Sequence, residues 1–317
     1  MRRLTYCCAG ALHKHERKGS WLKPFAYIAA TNADDAVVLL AEHGRSAKIL
    51  AGGTDLLADL KFASDVPGVV IDISRAEDLR GIAVTEDGLR IGALVTHSEL
   101  MDSPLIRNMF PALVDAAHSV GAVQTRNIGT LGGNLVTCVP SMDSGPTLVA
   151  LDARVTVASR SGRRRFPLAE LFLGPRKTSL GADELLLDIV IPTQNLGKPA
   201  GFQKFGLRKG QALALVNAAA SFWIDRSTDR FVEPRIALGA VAPTVIRAPE
   251  AEAYLVGHSV TPEAMVEAGR IASTEAKPIS DFRASTGYRR DLIAVLVKRA
   301  LAGALALAQA RQAEAVA

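Results

Sequence analysis

The 317-residue chain has only three cysteines, Cys7, Cys8 and Cys138. Adjacent Cys7 and Cys8 with one distant partner cannot form a disulfide framework, which fits a reducing, cytoplasmic compartment. Nor do three thiols supply the four ligands of an iron–sulfur cluster. Aromatic residues are 5% of the chain, too few to stack successive bases, which argues against single-stranded nucleic-acid binding. No stretch reaches the roughly 18 apolar residues that a membrane-spanning helix needs. Histidine is sparse, and no pair stands at i, i+4 around a glutamate, so a zinc protease is excluded. There is no G-x-x-x-x-G-K-[ST] loop, no G-x-G-x-x-G placed as in a dinucleotide fold, and no serine-hydrolase elbow. No metal set and no catalytic side chain emerge.

What remains is an ordinary globular composition, 49% hydrophobic and 22% charged, in a chain long enough for about two domains. The formal net charge of +5 comes from scattered basic residues. The densest run, Arg163, Arg164 and Arg165 beside Gly162, reads as a solvated hairpin. Residues 1–22 stand apart. Arg2, Arg3 and an apolar stretch imitate a secretory signal, but a charged cluster follows where a cleavage site belongs. The segment reads as a disordered extension, with a leader or a start-codon artefact as alternatives. Cys7, Cys8, His13 and His15 fit no usual metal-ligand spacing.

Beyond it, helical spacing opens at Thr31 and Asn32, and a buried strand over residues 47–51 runs through a glycine turn into a helix over 56–62. A further strand follows at 69–73. From about Leu79 the pattern changes to hairpins, at 81–94 and 154–167, with helices starting at Thr96, Pro111 and Ser144 and a strand over 184–191. Residues 194–199 read as a linker. Three strands (201–207, 212–224 and 231–241) and three helices (249–256, 262–273 and 289–312) complete the chain. In the last helix Ile293, Leu296, Val297, Ala300, Leu301 and Ala304 fall on one face.

Two glycine turns carry the chemistry. The first is Ile49-Leu50-Ala51-Gly52-Gly53-Thr54-Asp55-Leu56. The second contains Thr130-Leu131-Gly132-Gly133-Asn134. Glycine permits close backbone approach to a ligand, and a helix start after such a turn presents free amides to an anion. Thr54 and Thr130 add hydroxyl donors, and Asn134 adds an amide. Either turn alone is explained by geometry; together they read as a grip on one pyrophosphate. No histidine stands beside either turn in sequence.

The motifs AGGTDLL and TLGGNL, followed by Pro140-Ser141-Met142-Asp143, resemble the flavin-binding medium subunit of the molybdenum hydroxylases, the xanthine and carbon monoxide dehydrogenase group. Lys23-Pro24-Phe25-Ala26-Tyr27, IGALVTHSEL and FQKFGLRKG extend the resemblance from about Lys23 to Ala310. It implies an α+β fold: a two-subdomain flavin domain of the p-cresol methylhydroxylase type, over 23–196 (23–78 and 79–196), and a smaller C-terminal α+β domain over 197–317. It further implies that both turns hold the FAD pyrophosphate and adjoining groups, that Asp143 serves the ribose, and that Leu186 and Lys204 lie near the flavin and its rim. Read from the residues alone, Asp143 caps the next helix, Leu186 is core, Lys204 is a surface charge and Thr96 with His97 form a helix cap.

The resemblance implies non-covalent FAD in this chain, with molybdopterin on a large partner subunit and iron–sulfur clusters on a small one. Electrons would pass through the flavin to NAD, a quinone or oxygen. The family's hydroxybenzoyl-CoA reductases carry a Cys-rich insertion after the second turn; here Cys138 stands alone, which argues against that branch. Gly145-Pro146 also departs from the Leu-Pro of relatives. The alternatives are a self-contained flavin oxidoreductase, either a covalent-flavin oxidase or an enolpyruvyl-sugar reductase, and a flavin-free scaffold.

Overall fold

A computed structural model describes Thr5–Tyr6, residues 23–64 and residues 66–316. The expectations for residues 1–22 lie outside the described residues, apart from the backbone of Thr5 and Tyr6.

The first unit contains β1 (Thr5–Tyr6), β2 (Ala26–Ala29), α1 (Ala33–His43), β3 (Ala47–Leu50), α2 (Leu56–Phe62) and β4 (Val69–Asp72). Its sheet runs β1-β2-β4-β3, with β2 and β3 parallel to the central β4. Asn32 caps α1 by accepting from Asp35 N at 2.8 Å, and Ala36, Val37 and Leu40 bury its inner face. The alternation of strand and helix makes a small α/β layer whose strand ends, Ile49 and Ile73, face the next unit.

The second unit begins with the hairpin β5 (Ile82–Thr85) and β6 (Gly88–Gly92). Six short helices follow: α3 (His97–Asp102), α4 (Pro104–Met109), α5 (Pro111–His118), α6 (Val123–Ile128), α7 (Leu131–Thr137) and α8 (Ser144–Ala150). Then come β7 (Arg154–Ser159), β8 (Gly162–Pro167), the small ladder β9 (Phe172–Gly174) with β10 (Lys177–Thr178), and β11 (Leu185–Pro192). The main sheet is antiparallel and ordered β5-β6-β11-β7-β8. The three arginines of the β7–β8 hairpin face solvent as expected, and Arg164 pairs with Glu184 at 2.7 Å.

The third unit has the three long strands expected, β12 (Ala200–Gly206), β13 (Ala214–Asp225) and β14 (Arg230–Gly239), plus the two-residue edge β15 (Ile246–Arg247). Helices α9 (Pro249–Leu255), α10 (Pro262–Glu275) and α11 (Thr286–Val316) complete it. All six residues placed on one face of α11 are buried, at 0–3% exposure.

The segment read as a linker is not a loose one. Asn195 and Lys198 are buried at 1% and 0% exposure, and Asn195 donates to the Leu151 carbonyl at 2.9 Å. Composition suggested solvent, but the segment is buried: the Lys198 ammonium has no hydrogen-bond partner among the described residues, stands 3.8 Å from the exposed Glu233, and is lowered by burial to about 8. The core is continuous here, since Ala200 and Phe202 of β12 belong to the apolar cluster that holds Leu113 of α5 and Leu148 of α8.

One buried cation ties the third unit together. The Arg289 guanidinium, on α11, donates to the carbonyls of Leu215 (2.6 Å) and Ala240 (3.3 Å) and to Asp281 Oδ1 (3.0 Å). Removing it takes this donor from the Leu215 and Ala240 carbonyls, while Asp281 keeps Arg283 and the amides of Arg283 and Ala284. Arg289→Met is therefore expected to lower stability by about 3 kcal/mol, read from urea unfolding.

Candidate cofactor site

A cleft of about 350 Å³ lies between the first and second units. One wall is the loop from Ile49 to Leu56 with Ile73, at the carboxyl ends of the parallel strands β3 and β4, the usual ligand edge of such a layer. The opposite wall is built from Ala93, Leu94 and His97, the stretch from Gly129 to Thr137, and Leu185 and Leu186 of β11. A second cavity of about 240 Å³ adjoins it through Asp55, Val120, Asn134 and Thr137 and reaches Asp143.

The two glycine turns are held against each other. A Cβ built on Gly52 would lie 1.8 Å from the Ile128 carbonyl oxygen, so only glycine lets the first turn seat on the backbone entering the second. Gly53 follows with φ +74, the left-handed geometry that turns the chain into α2. The second turn is pinned from behind: Leu131 N donates to Val95 O (2.8 Å), Gly132 N to Ala93 O (2.9 Å), and His97 N to Gly129 O (3.1 Å). Across the mouth, Arg176 of the β9–β10 loop meets Asp59 of α2 at 2.6 Å.

This pinning separates the roles of the turns. In the first, the amides of residues 52–56 have no acceptor among the described residues, so a row of N–H groups stands open at the cleft. In the second, the amides opening α7 are already bonded: Leu131 and Gly132 as above, and Gly133 N to Thr130 Oγ1 at 3.0 Å. The expectation of free amides therefore holds for the first turn and is corrected for the second. Thr130 is a helix cap whose hydroxyl accepts. Asn134 gives its Oδ1 to Ser144 Oγ (2.6 Å), which leaves its amide NH₂ for the cleft.

Of the sixteen binding residues expected, those of the first turn line the cleft except Leu50, and those of the second except Leu131, which is fully buried. Leu186 lines it too, at 4% exposure. Asp143 faces the adjoining cavity and does not cap α8: its backbone is helical and it makes no cap hydrogen bond. Its Oδ2 instead accepts from Lys204 Nζ at 2.5 Å and its Oδ1 from Asn217 Nδ2 at 3.0 Å. Burial pushes the Asp143 carboxyl up, opposed by Lys204 and Asn217. Lys204 lines neither cavity and is no free surface charge; its ammonium also donates to Ser119 O at 2.9 Å.

Sequence reasoning missed several cleft residues, chiefly His97, Arg176 and Glu184. Thr96 does cap α3, accepting from Glu99 N while Glu99 accepts from Thr96 N. His97 is not part of that cap. It is 1% exposed and lies beside the second turn in space, although no histidine stands next to either turn in sequence. Only the pairing of 93–97 with 129–132 brings it there, and no local motif signals that pairing. Cys138 is buried, its thiol donating to the carbonyls of Gly174 and Lys177.

Residues 23–194 match the profile of the FAD binding domain in molybdopterin dehydrogenase, and residues 202–304 that of the CO dehydrogenase flavoprotein C-terminal domain. The chain belongs to the FAD-binding subunits of the molybdenum hydroxylases. It is 34% identical over 287 residues to the xanthine dehydrogenase FAD-binding subunit of Escherichia coli O157:H7, covering 89% of this chain and 97% of that one. It is 32% identical over 282 residues to the carbon monoxide dehydrogenase medium chain of Hydrogenophaga pseudoflava, covering 89% and 97%. The solved carbon monoxide dehydrogenase of that organism, lacking the Mo-pyranopterin moiety, superposes with a TM-score of 0.84 at 33% identity, over 89% of this chain and 98% of that chain. The fold is thus the two-subdomain flavin domain with a C-terminal α+β domain that the motifs implied, and the chain is a flavoprotein subunit of a molybdopterin-dependent oxidoreductase.

Burial, with a smaller push from Arg126, lowers the His97 pKa to about 4 from its ordinary 6.5. The unfolded chain binds this proton first as pH falls, so stability is intact above about pH 6.5 and is lost progressively down to about pH 4. The loss is expected to be about 2–4 kcal/mol, and His97→Gln should flatten that part of the pH–stability curve measured by urea unfolding.

Proposed function

We propose that this cleft binds FAD non-covalently, with its diphosphate on the open amides of residues 52–56, and that the chain relays electrons within a multisubunit dehydrogenase. The open amide row carries the reading: several N–H groups without a protein acceptor among the described residues belong to residues that line the cleft at the end of a parallel sheet, as an anion site requires. The flavin supplies the redox chemistry; the protein binds and orients it. Gly52 and Gly53 let the backbone approach the diphosphate. The Asn134 amide donates from the opposite wall. Asp143, which also holds Lys204 and Asn217, faces the adjoining cavity and accepts from the ribose hydroxyls. Lys204 opposes the upward push that burial gives that carboxyl. Leu186 is an apolar wall toward the ring end.

In this reading electrons arrive from iron–sulfur clusters on a small partner subunit, which drain molybdopterin on a large one. They leave to an acceptor such as NAD, a quinone or oxygen, in the cytoplasm. The matched relatives belong to xanthine and carbon monoxide dehydrogenases at nearly equal identity, so the substrate is set by the large subunit rather than by this cleft.

The purified chain is expected to show the yellow absorbance of oxidised flavin, released to the supernatant by acid precipitation and identified as FAD. Flavin that stays with the pellet would contradict non-covalent binding and direct attention to His97 as the attachment point. No flavin, even after reconstitution, would overturn the reading. Gly52→Ala is expected to weaken FAD binding at least about tenfold, measured by quenching of flavin fluorescence, because its methyl group collides with the Ile128 carbonyl and opens the grip.

A further inference from the structure

His97 has no part in the binding scheme above, yet its surroundings are those of a ligand contact. Its side chain is 1% exposed and lines the cleft, and the enclosed Nδ1 has no hydrogen-bond partner among the described residues. Buried polar groups are almost always bonded, so an orphan on a cleft wall points to a partner that arrives with the ligand. The residue is also held firmly. Its amide is bonded to Gly129 O, and it opens α3 directly after the Thr96–Glu99 capping box. Burial, and after it Arg126 among the described residues, lowers its titration and keeps the ring neutral, with one N–H to donate.

The wall it belongs to offers few backbone donors, and Thr125 and Arg176 line the cleft beside it. The amides of Leu131, Gly132 and Gly133 are bonded internally, so at the second turn itself a ligand crossing from the first meets side chains, the Asn134 amide and the His97 imidazole. We propose that His97 is a positioning residue of this cleft, its imidazole N–H donating to an oxygen of the phosphate–ribityl stretch of the dinucleotide where that stretch passes the second glycine turn. The inference rests on the proposed binding of FAD here. His97 does the work on this wall that open backbone amides do on the other, and fixes the cofactor's middle while Asp143 and Leu186 face its ends.

The test uses the full-length chain labelled with ¹⁵N-histidine, with the His97 ring signals identified by their absence in His97→Gln. Adding FAD is expected to shift these signals and to slow exchange of the ring proton with water. In fluorescence titrations His97→Phe, which keeps the packing and loses the N–H, is expected to bind FAD about tenfold more weakly, and His97→Gln, whose amide can donate, to recover most of that loss. FAD binding that leaves the His97 signals unmoved, or equal losses in both variants, would overturn the inference and leave the FAD reading intact. Failure of the wild-type chain to bind FAD at all would overturn both.

Discussion

The seating of Gly52 on the Ile128 carbonyl is the contact on which the site depends. Two units with different sheets, one parallel and one antiparallel, meet there backbone to backbone. Any side chain at Gly52 would hold them apart, and the cleft between Ile49 and Leu186 exists at its present width because none is there. The Arg176–Asp59 pair at the mouth is exposed on both sides and adds little energy; it marks where the walls meet rather than what holds them.

From that contact follows a division of labour between two turns that look alike in sequence. The first leaves its amides open because no backbone segment pairs with the loop from Gly52 to Leu56. The second is paired along residues 93–97, so its amides are taken and its contribution passes to side chains, Asn134 and His97. The Asp143–Lys204–Asn217 cluster extends the same logic into the third unit: β12 and β13 reach across to hold a carboxylate that belongs to the second.

Much of this was legible in the residues. Periodicity placed α2 and the buried face of α11, because a helix with one apolar stripe has only one way to bury it. Turn chemistry placed the hairpins, and the two glycine motifs with the tripeptide before Asp143 marked the family. What was not legible arises from tertiary pairing. The four-residue β2 is too short to show a period, and it becomes a strand because β4 lies beside it. The segment around Asn195 has a linker's composition but is buried because the Leu151 carbonyl needs a donor. Asp143 sits where a cap should be, and a lysine and an asparagine more than sixty residues away claim it instead. His97 followed a genuine cap motif, and nothing local told its direction.

Amide hydrogen exchange on the chain with and without FAD tests the central asymmetry most directly. The account predicts that FAD strongly slows exchange at residues 52–56, while Leu131, Gly132 and Gly133 are already slow in its absence and change little. Unchanged exchange at residues 52–56 on FAD binding, or protection arising at the second turn instead, would contradict it.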